Sequence, residues 1–129
     1  MLNQEMINYW KKSACEDIIT AEGLFRIGRY LPCLFYCHLF LEKIIKALVV
    51  KDTGKTAPFG HKLTRLVKFI SSVNFTPEQL DLLDEVTAFN IKARYEDYKF
   101  AVHKKATQEY TQDYLTKTKA FYLWLQEKL

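Results

Sequence analysis

The segment YCHLFLEKIIKALVVK, residues 36–51, restricts the folds open to this chain more than any other. At helical spacing Leu34, Leu41, Ile45 and Leu48 make one stripe, and Tyr36, Phe40, Ile44 and Ala47 carry apolar surface onto other sides. A helix of this kind is stable only when covered from more than one direction. The chain also has few places to turn, with four Gly and three Pro in 129 residues. That composition favours a handful of long helices over many short strands. The length suits one compact domain spanning residues 1–129, with no repeat, low-complexity tract or linker.

The apolar periodicity predicts five helices. The first runs from Asn3 to Gly28 and faces inward through Trp10, Ala14, Ile18, Ala21 and Phe25. The second covers Pro32 to Lys51, with the Pro in its first turn. The run DTGKTAPFGHK, residues 52–62, has two Gly and a Pro and reads as a loop. A short third helix is expected over Leu63 to Ser72. Thr76-Pro77-Glu78-Gln79 is a helix start, with Thr as N-cap, Pro in the first position and Gln three residues after the cap. That fourth helix extends to Ile91 on Leu80, Leu83, Val86 and Phe89 or Asn90. Residues 92–107 are polar, aromatic-rich and aperiodic, and read as a partly irregular connection. The last helix, Gln108 to Lys128, presents Tyr114, Leu115, Ala120, Phe121, Trp124 and Leu125. The expected fold is an all-α, five-helix up-and-down bundle.

The longest strongly apolar stretch, Leu39 to Val50, is broken by Glu42, Lys43 and Lys46 and is shorter than the roughly 20 residues of a membrane span. The N-terminus has no basic-then-apolar signal pattern. Cys15, Cys33 and Cys37 do not form a disulfide framework, so a reducing, cytoplasmic setting is expected. The net charge of +4 permits a polyanionic partner without requiring one.

Within the greasy helix, His38, Glu42 and Lys46 recur every four residues, a polar ladder about 12 Å long. Glu followed by Lys at that spacing is an ordinary surface pair. On a helix otherwise apolar all round, the ladder instead borders a groove or an interface. Glu42 is expected to pair with Lys46 and to orient His38 or a cation from elsewhere, for which Arg94 is the leading candidate.

The stretch CLFYCHLFLEKIIKALVV resembles the second helix of HEPN domains, in which a small-aromatic-x-x-(His or Gln)-x-x-x-Glu-Lys-x-x-Lys-Ala-Leu pattern is typical. Trp10, Asp17, Ala21 and Gly28-Arg29-Tyr30 agree with the family's first helix. Pro58 and His61-Lys62-Leu63 resemble its Pro-x-x-His-x-Leu segment, and Ala93-Arg94-Tyr95 its Ala-Arg-Tyr element. The resemblance runs from about Tyr9 to Leu125. It implies a five-helix bundle that commonly dimerises and is associated with nucleotides or RNA, often beside a minimal nucleotidyltransferase. On this basis His38, Glu42, Lys43, Lys46, His61, Arg94 and Tyr95 are the candidate ligand-binding residues. Some relatives are metal-independent ribonucleases with an Arg-x(4–6)-His spacing. Here eight residues separate Arg94 from His103, and no other Arg precedes a His at that distance. A nucleotide- or RNA-associated accessory protein, homodimeric and working with a nucleotidyltransferase, is therefore the leading reading. A toxin-like ribonuclease using Arg94 and His103, and a structural interaction module, are the alternatives.

Other constellations are weaker. Cys33-x-x-x-Cys37-His38 has no second ligand pair to close a zinc site, and buried Cys packs as a small apolar residue, so no metal is expected. GKT at 54–56 lacks the upstream Gly of a phosphate-binding loop, and no cofactor is expected. His61 serves equally as a loop anchor or as a ligand contact. Lys92, Arg94, Lys99, Lys104 and Lys105 interleave with Tyr95, Tyr98, Phe100 and His103, a mixture suited to phosphates and unstacked bases or to a solvated connection.

Arg94 and His103 lie nine positions apart, about 180° round a regular helix. Proton transfer from a ribose hydroxyl needs a base within hydrogen-bond reach. Incubation of the purified protein with single-stranded RNA and a chelator is accordingly expected to leave the RNA intact on a denaturing gel. Cleavage lost in both Arg94→Ala and His103→Ala would refute this expectation.

Overall fold

The computed structural model describes residues 2–94 and 104–129, apart from the side chains of Leu2, Ala93 and Arg94. Among these residues the chain forms five α-helices and no strand. They are α1 (Leu2–Arg26), α2 (Tyr30–Thr53), α3 (Leu63–Leu66), α4 (Pro77–Arg94) and α5 (Gln108–Gln126), and a 3-10 turn over Val67–Phe69 continues α3.

Local chemistry sets most of the boundaries. Gly28 adopts φ 78° after α1. Its amide bonds the Phe25 carbonyl at 3.1 Å, and the Arg29 amide bonds that of Leu24 at 2.8 Å. This left-handed termination satisfies carbonyls that the helix end would otherwise orphan. α2 starts two residues before the expected Pro32, which its first turn accommodates because that amide has no helical partner. α4 begins with a reciprocal cap: Thr76 Oγ1 accepts from the Gln79 amide at 3.1 Å, and Gln79 Oε1 from the Thr76 amide at 2.9 Å. α4 continues three residues past the expected Ile91.

α3 is much shorter than the expected Leu63–Ser72. Asp52 Oδ2, from the end of α2, accepts from both the amide and the hydroxyl of Ser72, at 2.9 and 2.8 Å. Ile70 is already extended, at φ −96° and ψ 106°. These side-chain contacts offer the backbone an alternative to further helical turns.

α2 is the axis of the molecule. Fifteen of its 24 residues are buried, and it packs against α1, α3, α4 and α5. Phe40, Leu41, Ile44, Ile45 and Leu48 are wholly excluded from solvent, as are Cys33 and Cys37. The apolar surplus of α2 is thus consumed within one chain and is not a dimer surface. On α5, Leu115, Phe121 and Leu125 are buried as expected, while Ala120 is exposed. No helix among the described residues is long and apolar enough to cross a membrane.

This layout ranks the consequences of truncation. Leu41→Ala is expected to cost about 3 kcal/mol in urea unfolding, from lost burial and a residual cavity. Leu123→Ala, on a side chain 54% exposed, is expected to change stability by less than about 0.5 kcal/mol.

Candidate functional site

The polar ladder of α2 faces inward. His38 is fully buried, Glu42 is 4% exposed and Lys46 8%. Glu42 is the hub, with a separate partner on each oxygen. Oε2 lies 3.1 Å from Lys46 Nζ, one turn further along α2. Oε1 accepts from His61 Nδ1 at 2.7 Å, a contact delivered by the loop after α2. The Lys46 ammonium also sits over the Trp10 ring of α1, 5.2 Å from its centroid, so a π face completes its surroundings.

His38 links three elements. Its Nε2 donates to the His61 backbone carbonyl at 2.7 Å. That bond leaves Nδ1 as an acceptor, which faces the Asn90 amide nitrogen of α4 at 3.4 Å. His38 Nε2 is 3.7 Å from Glu42 Oε1, too far for a hydrogen bond. The loop is secured again just beyond, where the Leu63 amide donates to Thr87 Oγ1 at 3.2 Å and Thr64 Oγ1 to Asp84 Oδ1 at 3.1 Å.

His61 is therefore anchored by backbone and ring together, yet its side chain is 49% exposed. Among the described residues its Nε2 has no partner. A buried carboxylate holding Nδ1 of a half-exposed imidazole fixes the ring and directs the second nitrogen outward, as carboxylate–histidine pairs do at binding and catalytic sites.

The structure brings together His38, Glu42, Lys46 and His61 from the expected set. Lys43 turns elsewhere, and its Nζ lies 2.6 Å from Asp17 Oδ2 of α1. That contact is an ion pair and not a well-directed hydrogen bond, because the same oxygen has no partner of hydrogen-bond geometry. Among the described residues the second cation-capable group on Glu42 is His61. The Arg94 side chain, Tyr95 and His103 lie outside the described residues. Sequence reasoning missed Trp10 as the lid on Lys46, since its position on the apolar face of α1 gave it only a packing role. Cys33 and Cys37 are free, buried thiols one helical turn apart, and the pull of a hydrogen bond between them acts on both pKa values. That bond lowers the Cys33 thiol pKa, and together with burial it pushes Cys37 well up. Among the described residues no group of His, Cys, Asp or Glu could hold a metal ion.

A profile of the HEPN domain matches residues 7–129, nearly the entire chain. The chain belongs to the HEPN domain family. That family is associated in general with nucleotides or RNA, and HEPN domains often dimerise. Among solved structures, TT1696 from Thermus thermophilus has the same fold, with a TM-score of 0.82 at 18% identity. The match covers 95% of this HEPN chain and 98% of that one. No curated protein matches the chain.

The hub makes a sharp energetic statement. Glu42→Ala leaves the Lys46 ammonium buried without its carboxylate, and is expected to cost about 3 kcal/mol or more in chemical denaturation. The partly exposed Lys43–Asp17 pair is expected to contribute at most about 1 kcal/mol in a double-mutant cycle. Replacing Glu42 and Lys46 together by Leu and Met is expected to recover most of the loss, because no charge is then stranded. A Glu42→Ala loss under about 0.5 kcal/mol would mean the ladder is merely a solvated pair.

Proposed function

We propose that this HEPN protein is a nucleotide- or RNA-associated accessory factor, homodimeric and acting beside a minimal nucleotidyltransferase carried on another chain. What supports the reading, beyond family membership, is the use made of buried charge. An ionic hub is no more stable than apolar side chains of the same size. Glu42, Lys46 and His38 instead hold one imidazole at the surface with a nitrogen to spare. In this reading His61 touches the ligand. His38, Glu42 and Lys46 position it, Lys43 takes part only on exchanging Asp17 for a ligand anion, and Arg94 and Tyr95 supply further contacts. The charged nitrogens suit phosphate oxygens, for which charge-assisted hydrogen bonds are the strongest available.

A thermal-melting screen across mono- and dinucleotides and short RNA tests the proposal. A nucleotide at a hundredfold its dissociation constant is expected to add about 2.7 kcal/mol of stability. The increment is expected to vanish in His61→Ala and in Lys46→Ala, compared with each variant's own ligand-free baseline. No shift with any nucleotide or RNA would refute ligand binding. Light scattering of the free protein is expected to return about twice the 15.2 kDa chain mass, and a value near one chain would refute the dimer.

A further inference from the structure

Between Asp52 and Glu78 the chain contains no acidic residue, yet it carries Lys55, Lys62, Arg65 and Lys68. Removing those four from the 19 Lys and Arg leaves 15, against 15 Asp and Glu, so this stretch accounts for the net charge of +4. It is also the stretch that the Glu42 hub holds down. At its centre Phe59 is 96% exposed, the most exposed large apolar side chain among the described residues.

Phe59 stands on backbone that is held from its own carbonyl onward. Its carbonyl accepts from Arg65 Nη1 at 3.3 Å, and two residues on, the His61 carbonyl accepts from His38. Gly60 makes this possible with φ 125°, a conformation that residues with a Cβ rarely adopt. A Cβ there would also come within 3.3 Å of the Arg65 guanidinium. The phenyl ring is thus presented to water by a pinned turn, with an exposed guanidinium at its own carbonyl and the half-exposed His61 two residues away.

Among the described residues the neighbouring acids offset the four cations only in part. Glu42 is paired with Lys46, which leaves Asp84 and Asp52, the acceptors from Thr64 and Ser72, against four cations. An exposed aromatic face amid a net excess of positive charge is complementary to a single-stranded polynucleotide, whose bases stack on rings while its phosphates track cations. A protein surface offers apolar area without a regular run of negative charge, and so answers only half of the pattern.

We propose that Phe59, with Arg65 and His61, forms a contact site for single-stranded RNA, the Phe59 ring stacking on an unpaired base and Arg65 meeting the adjoining phosphate. The proposal deepens the nucleotide or RNA reading above and rests on it. The site is sequence-tolerant, since every base has a π face.

Fluorescence anisotropy with a labelled oligouridylate, and with an abasic phosphodiester of equal length, tests it. Phe59→Ala is expected to weaken oligouridylate binding about tenfold and to leave the abasic chain unaffected. Phe59→Trp should restore the affinity. Arg65→Ala is expected to weaken both and to reduce the slope of log affinity against log salt by about one. Phe59 makes no buried contact, so its variants should keep the wild-type melting temperature. Oligouridylate binding unchanged in Phe59→Ala overturns this site while nucleotide association stands. A wild-type chain that binds no nucleotide and no oligonucleotide overturns both. Loss of self-association in Phe59→Ala, with RNA affinity intact, would assign the ring to a second copy of the chain and equally overturn the proposal.

Discussion

The structure turns on a carboxylate that has been taken almost entirely out of water. Glu42 sits midway along the most buried helix, where an unpaired charge is prohibitive. Each of its oxygens must therefore find a donor, and the two donors come from different places. Lys46 is supplied by the helix itself, one turn on. His61 is supplied by the loop, which has to close onto the helix to reach it. One charge thereby ties the imidazole of the 54–62 segment to α2, and α3 and α4 meet the end of that segment through Leu63, Thr64, Thr87 and Asp84.

How much of this was legible in the sequence depends on the range of each interaction. Contacts within a helical turn were readable. The successive steps of the His38–Glu42–Lys46 ladder, the Thr76–Gln79 cap and the Gly28 stop each relate residues at most five apart. Contacts that need the fold were not. The His61–Glu42 bond joins residues 19 apart, and it forms because the loop follows a path that depends on a Gly60 with positive φ and on His38 gripping a backbone carbonyl. No local pattern reports those. The same limit explains α3, whose second half is diverted by Asp52, 20 residues away in sequence from Ser72.

The apolar character of α2 shows how one observation sustains opposite inferences. Read alone, a helix greasy on every side signals either an interface with a second molecule or complete burial within one. The choice rests on how many neighbours the chain can bring to it. Here α1, α3, α4 and α5 all pack on α2, and its apolar faces are spent internally. The exposed apolar residues are instead scattered, among them Tyr9, Ile19, Ile27 and Leu123 on α1, its end and α5, and Phe59 on the loop. Single exposed hydrophobes are common on any surface. Phe59 differs in being almost wholly exposed, on backbone bonded at its own carbonyl and at that of His61, within the basic stretch.

An apolar substitute for the hub would preserve the bundle, and it would lose the direction that hydrogen bonds impose. Leu and Met in place of Glu42 and Lys46 could fill the same volume with no desolvation cost. Nothing would then distinguish one orientation of the His61 ring from another, or hold Nδ1 inward so that Nε2 points out. The loop would keep its Gly60 turn and its bonds through His38 and Thr87, and so its path, while the imidazole became free to rotate. Stability and orientation are thus separable at this site. The ionic hub contributes little to the first that packing could not supply, and it determines the second. A carboxylate buried at such cost in the centre of a folded chain is best understood through the half-exposed imidazole it orients.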